Sequence, residues 1–367
     1  MGSGEPSLAQ PDPATLARWR EVAEAFALPG RWLSSRPYGS GWINETLLVE
    51  REHDGRRTRW IQQRINARVF REPALVMEKG ARDADRRALR LVPARDGLPA
   101  FVDADGEWWR TFHFIEGASS RDAVASAREA GAAAEAFGRF LAQLADLPGP
   151  RLHETIPHFH DARARFEQLV AAAKADAHGR LADCRLDFEF VLAREGMVAR
   201  SEALRGRLPE RVTHNDTKIN NVLLDDATSE GVCVIDLDTV MPGLSLYDFG
   251  DLARRAASPV AEDERDLAKV RVDPRLFEAL VAGYLRGAGA ALVAAERDEL
   301  VFASQLMTLL LGMRFMADHL AGDRYFRIRR PGQNLDLART QLALLGDFER
   351  QRDALEAIVA KAAAASS

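Results

Sequence analysis

Apolar positions recur at two spacings along this chain of 367 residues, and the spacing changes near residue 116. Before that point, extended segments dominate: Tyr38 to Val49, Arg59 to Asn66, and an alternating run from Glu107 to Ala118 that breaks at Glu116-Gly117. A helix precedes them, with Asp12 as N-cap, Pro13 in the first turn, Ala14 to Leu28 as its body and Gly30 as its stop. Beyond 116 the period becomes helical. Phe137, Phe140, Leu141 and Leu144 form one stripe of a helix from Ala127 to Leu147, which Pro148-Gly149-Pro150 ends. Further helices are expected at Asp161–Ala177, Asp187–Leu204, Asp273–Arg286, Ala295–Leu320 and Asn334–Ala360. The pattern predicts an α+β protein of two lobes: a small β-rich one over 1–116 and a larger, mainly helical one over 117–367.

Composition narrows the class. Hydrophobic residues make up 47% and charged residues 29%, an ordinary globular balance. The formal net charge of −5 argues against a nucleic-acid surface and against attachment to anionic membrane. Two cysteines, Cys184 and Cys233, are too few for a disulfide framework or a zinc site, and point to a reducing compartment. The start, MGSGEPSLAQPDP, has neither the basic nor the apolar block of a signal peptide, and no run approaches the length of a membrane span. Residues 1–11 are expected to be a disordered tail, and the cytoplasm is the expected address.

The densest chemistry lies between Thr213 and Arg254. His214-Asn215-Asp216-Thr217-Lys218-Ile219-Asn220-Asn221 has the spacing of a kinase catalytic loop: His, Asp two residues on, Lys two later and Asn three later. Phosphoryl transfer from ATP needs a carboxylate beside the acceptor hydroxyl, a cation near the moving group and oxygen ligands for magnesium. Asp216 is therefore the candidate base, Lys218 the cation and Asn221 a metal ligand, with His214 bracing the loop. Gly231 to Val240 begins as a β-branched, apolar run and meets Asp236 and Asp238, as a buried strand ending at a site would. Asp236 is the expected second metal ligand. Asp248-Phe249-Gly250 spells DFG but follows a Pro242-Gly243 turn, so Asp248 and Asp251 are assigned to capping a helix or tying the loop down.

These residues resemble the aminoglycoside phosphotransferase and choline kinase superfamily, whose signature is HxDxxxxN followed by a strand ending in Asp. More narrowly, HNDTKINNVLLD with CVIDLDTVMPGLSLYDFGD resembles the N-acetylhexosamine 1-kinases, which phosphorylate the anomeric hydroxyl of N-acetylglucosamine and N-acetylgalactosamine. The resemblance implies a bilobal protein-kinase-like fold, ATP and Mg²⁺ as cofactors, and a small sugar as substrate. It makes Tyr38 to Val49 the hairpin over the nucleotide phosphates, with Ser40, Gly41 and Asn44 in contact. Trp42, where the family often has His, and Gln62, where it usually has an apolar residue, depart from its pattern. The strand Arg59–Asn66 has no lysine, and either Gln63 or Arg64 would face the phosphates. Glu78 is the candidate ion-pair partner. His113 to Ile115 would meet the adenine edge, with Phe112 and Phe114 fitting either ring packing or plain core.

In the same resemblance Arg314 and Tyr325, in GMRFMADHLAGDRYF, line the sugar pocket, and Asp238 accepts hydrogen bonds from sugar hydroxyls. The competing reading of Arg314, inside an otherwise apolar helix, is an internal ion pair. An aminoglycoside pocket would be ringed with acidic residues and a choline pocket with aromatic ones, and Arg314 speaks against both cations. Homoserine or another neutral metabolite is the alternative acceptor. A catalytically silent binding protein is the alternative class, opposed by the presence of Asp216, Asn221 and Asp236 together. His158 and His160 lack a second pair of metal ligands and read as a loop at the start of a helix that also borders the substrate.

Overall fold

Strand pairing in the first part of the chain follows the side-chain alternation. A computed structural model describes residues 11–39, 44–67, 69–70 and 88–365. The expected tail up to residue 10, and Ser40, Gly41, Trp42 and Glu78, lie outside the described residues. The chain divides into two units, Met1–Glu116 and Gly117–Ser367.

In the first unit β1 (Arg31–Pro37), β2 (Glu45–His53), β3 (Arg56–Arg64) and β6 (Trp108–His113) pair antiparallel in that order, and the short β4 (Leu91–Val92) and β5 (Phe101–Val102) both pair with β6. Register places Thr46 opposite Gln63 and Gln63 opposite Arg110. The first helix runs Pro13–Ala25, with the Asp12 side chain accepting from the N–H groups of Ala14 and Thr15. It packs Trp19, Val22 and Ala23 on Leu47, Val49, Trp60 and Trp109. It stops three residues before the expected Leu28 because Phe26 leaves the helix to bridge Ala94, and Ala27 donates to the Pro93 carbonyl.

The second unit is helical apart from three short strand pairs, so the whole has the antiparallel-sheet-then-helices order of a kinase-like fold. Two helices, Ala127–Gln143 and Pro274–Ala288, cross at small residues. A Cβ on Gly283 would lie 2.1 Å from the Gly131 carbonyl oxygen, and one on Gly138 would lie 2.4 Å from that of Tyr284. The backbones meet closely because no side chains intervene. The Leu300–Leu320 helix is nearly all buried, including Leu306, Leu309, Leu310 and Met313. At 21 residues it is long and apolar enough to cross a membrane, which corrects the reading of the sequence, and 94% of its apolar window is buried inside the protein as a core helix.

Three expected helices are broken. Asp187–Leu204 is two helices, Arg185–Leu192 and Glu195–Arg205, and the break is pinned by Arg194, whose guanidinium pairs with Glu349 at 2.7 Å. Asn334–Ala360 divides into Gln333–Arg350 and Arg352–Ala365 at Gln351, which donates to the Val272 carbonyl at 3.1 Å. Ala295–Leu320 begins as a separate turn, Ala294–Arg297, because the fully buried Glu296 is held by Arg211 at 2.8 Å and by Ser245 at 2.7 Å. Apolar periodicity runs on across each break, so it carries no sign of these polar pins.

Replacing Gly283 by Ala is expected to push the Ala127–Gln143 and Pro274–Ala288 helices apart and to lower stability by about 1–3 kcal/mol, the range for overpacking a close contact. Urea unfolding of the variant, compared with the unaltered protein, checks this; an unchanged midpoint would refute the close crossing.

Candidate active site

The loop His214–Asn221 links β8 (Arg211–Thr213), which pairs with β11 (Met241–Gly243), to β9 (Val222–Asp225), which pairs with β10 (Gly231–Val234). The strand expected over Gly231–Val240 ends at Val234, and the chain then turns through Asp236 into a single 3₁₀ turn, Leu237–Thr239. Two non-glycine residues at this place adopt left-handed backbone, Asn215 at φ 65° and Asp236 at φ 60°. Asn and Asp tolerate that region better than other side chains, and such conformations gather at functional sites. The Asn215 side chain holds its own turn, donating to the carbonyls of Thr213 at 3.1 Å and Thr239 at 3.0 Å.

His214 is buried and works through both ring nitrogens. Its Nε2 lies 2.9 Å from the Ile235 carbonyl and donates to it, while Nδ1 accepts from the Asp216 N–H at 3.3 Å. Phe137 and Phe140 meet the ring edge-on. Ile235 in turn donates its N–H to the Asn221 carbonyl at 2.8 Å. One imidazole and one peptide group therefore set Asp236 beside the loop, and His214 is left no free nitrogen for proton transfer.

Asp216, Lys218 and Asn221 converge. Lys218 Nζ lies 2.7 Å from Asp216 Oδ2, and Asn221 Nδ2 donates to the same oxygen at 3.1 Å and to the Asp216 carbonyl at 2.8 Å. Burial alone would push the Asp216 carboxyl up, but the Lys218 ammonium, with Arg255 and His214 nearby, holds it well below the usual carboxylate range. Burial acts to lower the Lys218 pKa, and Asp216 and Asp236 outweigh it and raise it. Both groups stay charged at neutral pH. The two carboxylates that act on Lys218 are the expected base and the expected metal ligand. With its amide nitrogen on Asp216, Asn221 keeps its side-chain oxygen as the atom a cation would take. Magnesium is commonly bound by one or two protein oxygens plus phosphate oxygens rather than by an all-protein cage. Asn221 and Asp236 fit that pattern, and among the described residues no cluster of three His, Cys, Asp or Glu side chains offers a cage instead.

Asp248, the Asp of DFG, ties the loop down. Its carboxylate accepts from the backbone N–H groups of His214 at 2.9 Å and Asn215 at 2.7 Å, and its carbonyl accepts from Thr217 Oγ1 at 2.5 Å. Burial raises its pKa to about 6. Asp251 pairs with Arg254 at 2.6 Å. His160, buried, contacts the Asn215 carbonyl through Nε2 at 2.7 Å, and burial depresses its pKa to about 4, so it is neutral. His158 is exposed at φ 56° near Asp161.

Arg314 has no carboxylate partner among the described residues. Its guanidinium instead lies 5.0, 5.6 and 5.4 Å from the ring centres of Phe159, Tyr325 and Phe326, with Nη2 3.5 Å from the Tyr325 hydroxyl. Burial lowers its pKa from the usual arginine value. Among the described residues, then, the internal ion pair is not formed. Tyr325, 57% exposed, is placed by Asp318, whose carboxylate accepts from the N–H groups of Arg324, Tyr325 and Phe326 and from Asn334 Nδ2. No sequence signal marked Asp318, because it acts on backbone groups. Asp238 is buried, 1% exposed, in the turn after Asp236, and Thr155 holds its carbonyl at 2.8 Å.

In the first unit, Arg64 is tied to Glu45 at 2.9 Å and to Glu107 at 3.5 Å, so its charge is already matched. On the opposite face Gln63 accepts from Arg110 at 2.8 Å and donates to Thr46. The cation beside Gln63 is Arg110, which reading one strand at a time missed. Asn44 accepts from the Asn66 N–H at 3.0 Å. His113 meets Trp60 at a tilt of 54°, with ring centres 4.8 Å apart, and burial lowers its pKa; Ile115, two residues on, is half-buried.

The raised pKa of Asp248 has a signed consequence. The native chain holds a proton between about pH 4 and 6 that the unfolded chain has released, so this group's contribution to stability is present in full below pH 3.8 and is lost as pH rises through about 6. Urea unfolding between pH 5 and 7 should show a downward slope in stability that is shallower in Asp248→Asn; equal slopes would assign the proton elsewhere.

Residues 34–299 match the model of the phosphotransferase enzyme family, APH. Among solved structures the chain resembles a choline/ethanolamine kinase family protein from Mesorhizobium loti, at 18% identity and TM-score 0.54 over 93% of this chain and 99% of that one. It also resembles choline kinase from Cryptosporidium parvum, at 14% identity and TM-score 0.52 over 88% and 89%. A third likeness is to spectinomycin phosphotransferase in complex with ADP and spectinomycin, at 12% identity and TM-score 0.52 over 92% and 100%. Likenesses at such identities carry the fold, while the family match spans well over half of the chain: this protein belongs to the phosphotransferase enzyme family.

Proposed function

We propose that the protein transfers the γ-phosphoryl group of ATP to the anomeric hydroxyl of an N-acetylhexosamine, giving ADP and a sugar 1-phosphate. The observation that carries the phosphotransfer is the convergence of Asp216, Lys218 and Asn221, with Asp236 held alongside by His214 and Ile235. Asp216, ionised at every working pH, orients the acceptor hydroxyl and takes its proton late, as the bond to phosphorus forms. Lys218 faces the charge that gathers on the transferred group. Asn221 and Asp236 would hold Mg²⁺, which when bound neutralises phosphate charge. Asn44, His113 and Ile115, with Ser40 and Gly41, are the proposed nucleotide contacts.

The acceptor reading rests on the likeness of HNDTKINNVLLD and GMRFMADHLAGDRYF to the N-acetylhexosamine 1-kinases, with Asp238, Arg314 and Tyr325 as sugar contacts. The rings of Phe159, Tyr325 and Phe326 make the kind of aromatic enclosure a quaternary ammonium needs, but Arg314 fills it. That disfavours choline and repels an aminoglycoside. Homoserine is the second reading, since a neutral head group escapes both objections.

ADP release with ATP and magnesium is to be measured against N-acetylglucosamine, N-acetylgalactosamine, glucose, galactose, homoserine, choline and kanamycin. Turnover confined to the N-acetylated sugars is expected, and turnover only on another member would overturn the acceptor. Asp216→Asn should lower kcat by roughly 10²–10⁴-fold with nucleotide affinity retained; preserved turnover would remove Asp216 from its role. Arg314→Ala should raise the acceptor KM by about tenfold or more and leave the KM for ATP in place, whereas equal losses in both would make Arg314 structural.

A further inference from the structure

A cleft of about 550 Å³ opens beside Lys218, with walls drawn from segments 122–127, 218–220, 254–262, 273–276 and 340–344 of the second unit. That volume suits a small organic molecule. Four side chains of its wall carry a buried polar atom without a hydrogen-bond partner among the described residues: Asn220 Oδ1, Arg255 Nε, Ser258 Oγ and Gln341 Oε1. Ser258 is 8% exposed and Gln341 1%. Native proteins keep few such groups, and several in one wall mark a place where a ligand completes the pairing. Asn220 turns its amide nitrogen to Asp122, at 3.5 Å, which leaves its oxygen on the other side.

The charges of the wall are matched internally. Lys218 pairs with Asp216 at 2.7 Å, Arg254 with Asp251 at 2.6 Å, Arg255 with Glu262 at 3.0 Å and Arg275 with Asp273 at 2.9 Å. A polycation would meet arginines there, and a polyanion would meet carboxylates. What lacks a partner is two amide carbonyl oxygens, a hydroxyl and the Nε–H of Arg255, whose charge Glu262 already meets. Their complement is a ligand with several O–H or N–H donors and a carbonyl or hydroxyl oxygen.

We propose that this cleft takes up part of the acceptor and that Ser258 and Gln341 are specificity-determining residues for an uncharged acceptor bearing hydroxyl and amide groups. The proposal rests on Asp216 as the group that receives the acceptor hydroxyl, since Lys218 joins the cleft to it.

The test uses the full chain with ATP, magnesium and N-acetylglucosamine, and the variants Ser258→Ala, Gln341→Met and Ala261→Trp, the last filling the cleft from an exposed position. The first two should raise the acceptor KM by about tenfold, leave the KM for ATP within about twofold, and leave the thermal midpoint unchanged or higher, because each removes an unpaired buried oxygen. Ala261→Trp should abolish acceptor use while nucleotide titration stays normal. An acceptor KM unmoved in all three variants overturns the proposal, as does a matched fall in thermal midpoint and activity, which would mark Ser258 and Gln341 as structural. If homoserine or galactose is the acceptor instead, the same variants are assayed with it: a raised KM keeps the cleft and sinks only the N-acetylhexosamine. Turnover of kanamycin by the unaltered protein overturns the neutral acceptor outright.

Discussion

The loop that carries Asp216 depends on one buried carboxylate, that of Asp248. Asp248 accepts from two consecutive backbone N–H groups, those of His214 and Asn215, at the point where the loop turns left-handed. Consecutive N–H groups aimed at one acceptor fix the peptide planes on both sides of Asn215, and hence the direction in which Asp216 leaves the backbone. Burial taxes this arrangement, as the raised pKa of Asp248 shows, and the two charge-assisted hydrogen bonds offset it. His214 then repeats the device one layer further out, fixing Ile235 and with it Asp236. Positioning passes from buried polar groups to Asp216 and Asp236.

Much of this was legible in the sequence, for a physical reason. Phosphoryl transfer requires a few side-chain types at fixed spacing, so His214, Asp216, Lys218 and Asn221 announce themselves, and a β-branched run that ends in carboxylates announces Asp236. The helical second unit was equally readable from period 3.6. What escaped was of another kind. The helix breaks at Arg194 and Gln351, the Asp318 knot under Tyr325, and the Arg110–Gln63 pair all depend on partners distant in sequence or on backbone groups, which no local pattern records. Arg64 was singled out as the nearest cation on its strand, yet its face carries Glu45, and that neighbour is visible only once the register is known.

Arg314 shows how two readings of one residue separate. An arginine in an apolar helix needs acceptors, and the sequence offered an ion pair or a ligand. Aromatic faces, a tyrosine hydroxyl and no carboxylate among the described residues give the guanidinium a place to rest without neutralising it. A charge held in this way is left uncompensated by any carboxylate among the described residues, and in the proposed role it would act on acceptors by sign before any hydrogen bond is formed.

The left-handed backbone at Asp236 narrows what evolution or an engineer can place there. In the proposed role the position must offer a carboxylate, which leaves Asp and Glu; at φ 60° it must also be a residue whose side chain tolerates that twist, which favours Gly, Asn and Asp. Only one residue type stands in both sets. Glutamate would keep the charge and strain the turn, and asparagine would keep the turn and drop the charge. In that role the codon at this position answers to two independent demands at once, and a neutral path away from aspartate is closed even where either demand alone would leave it open.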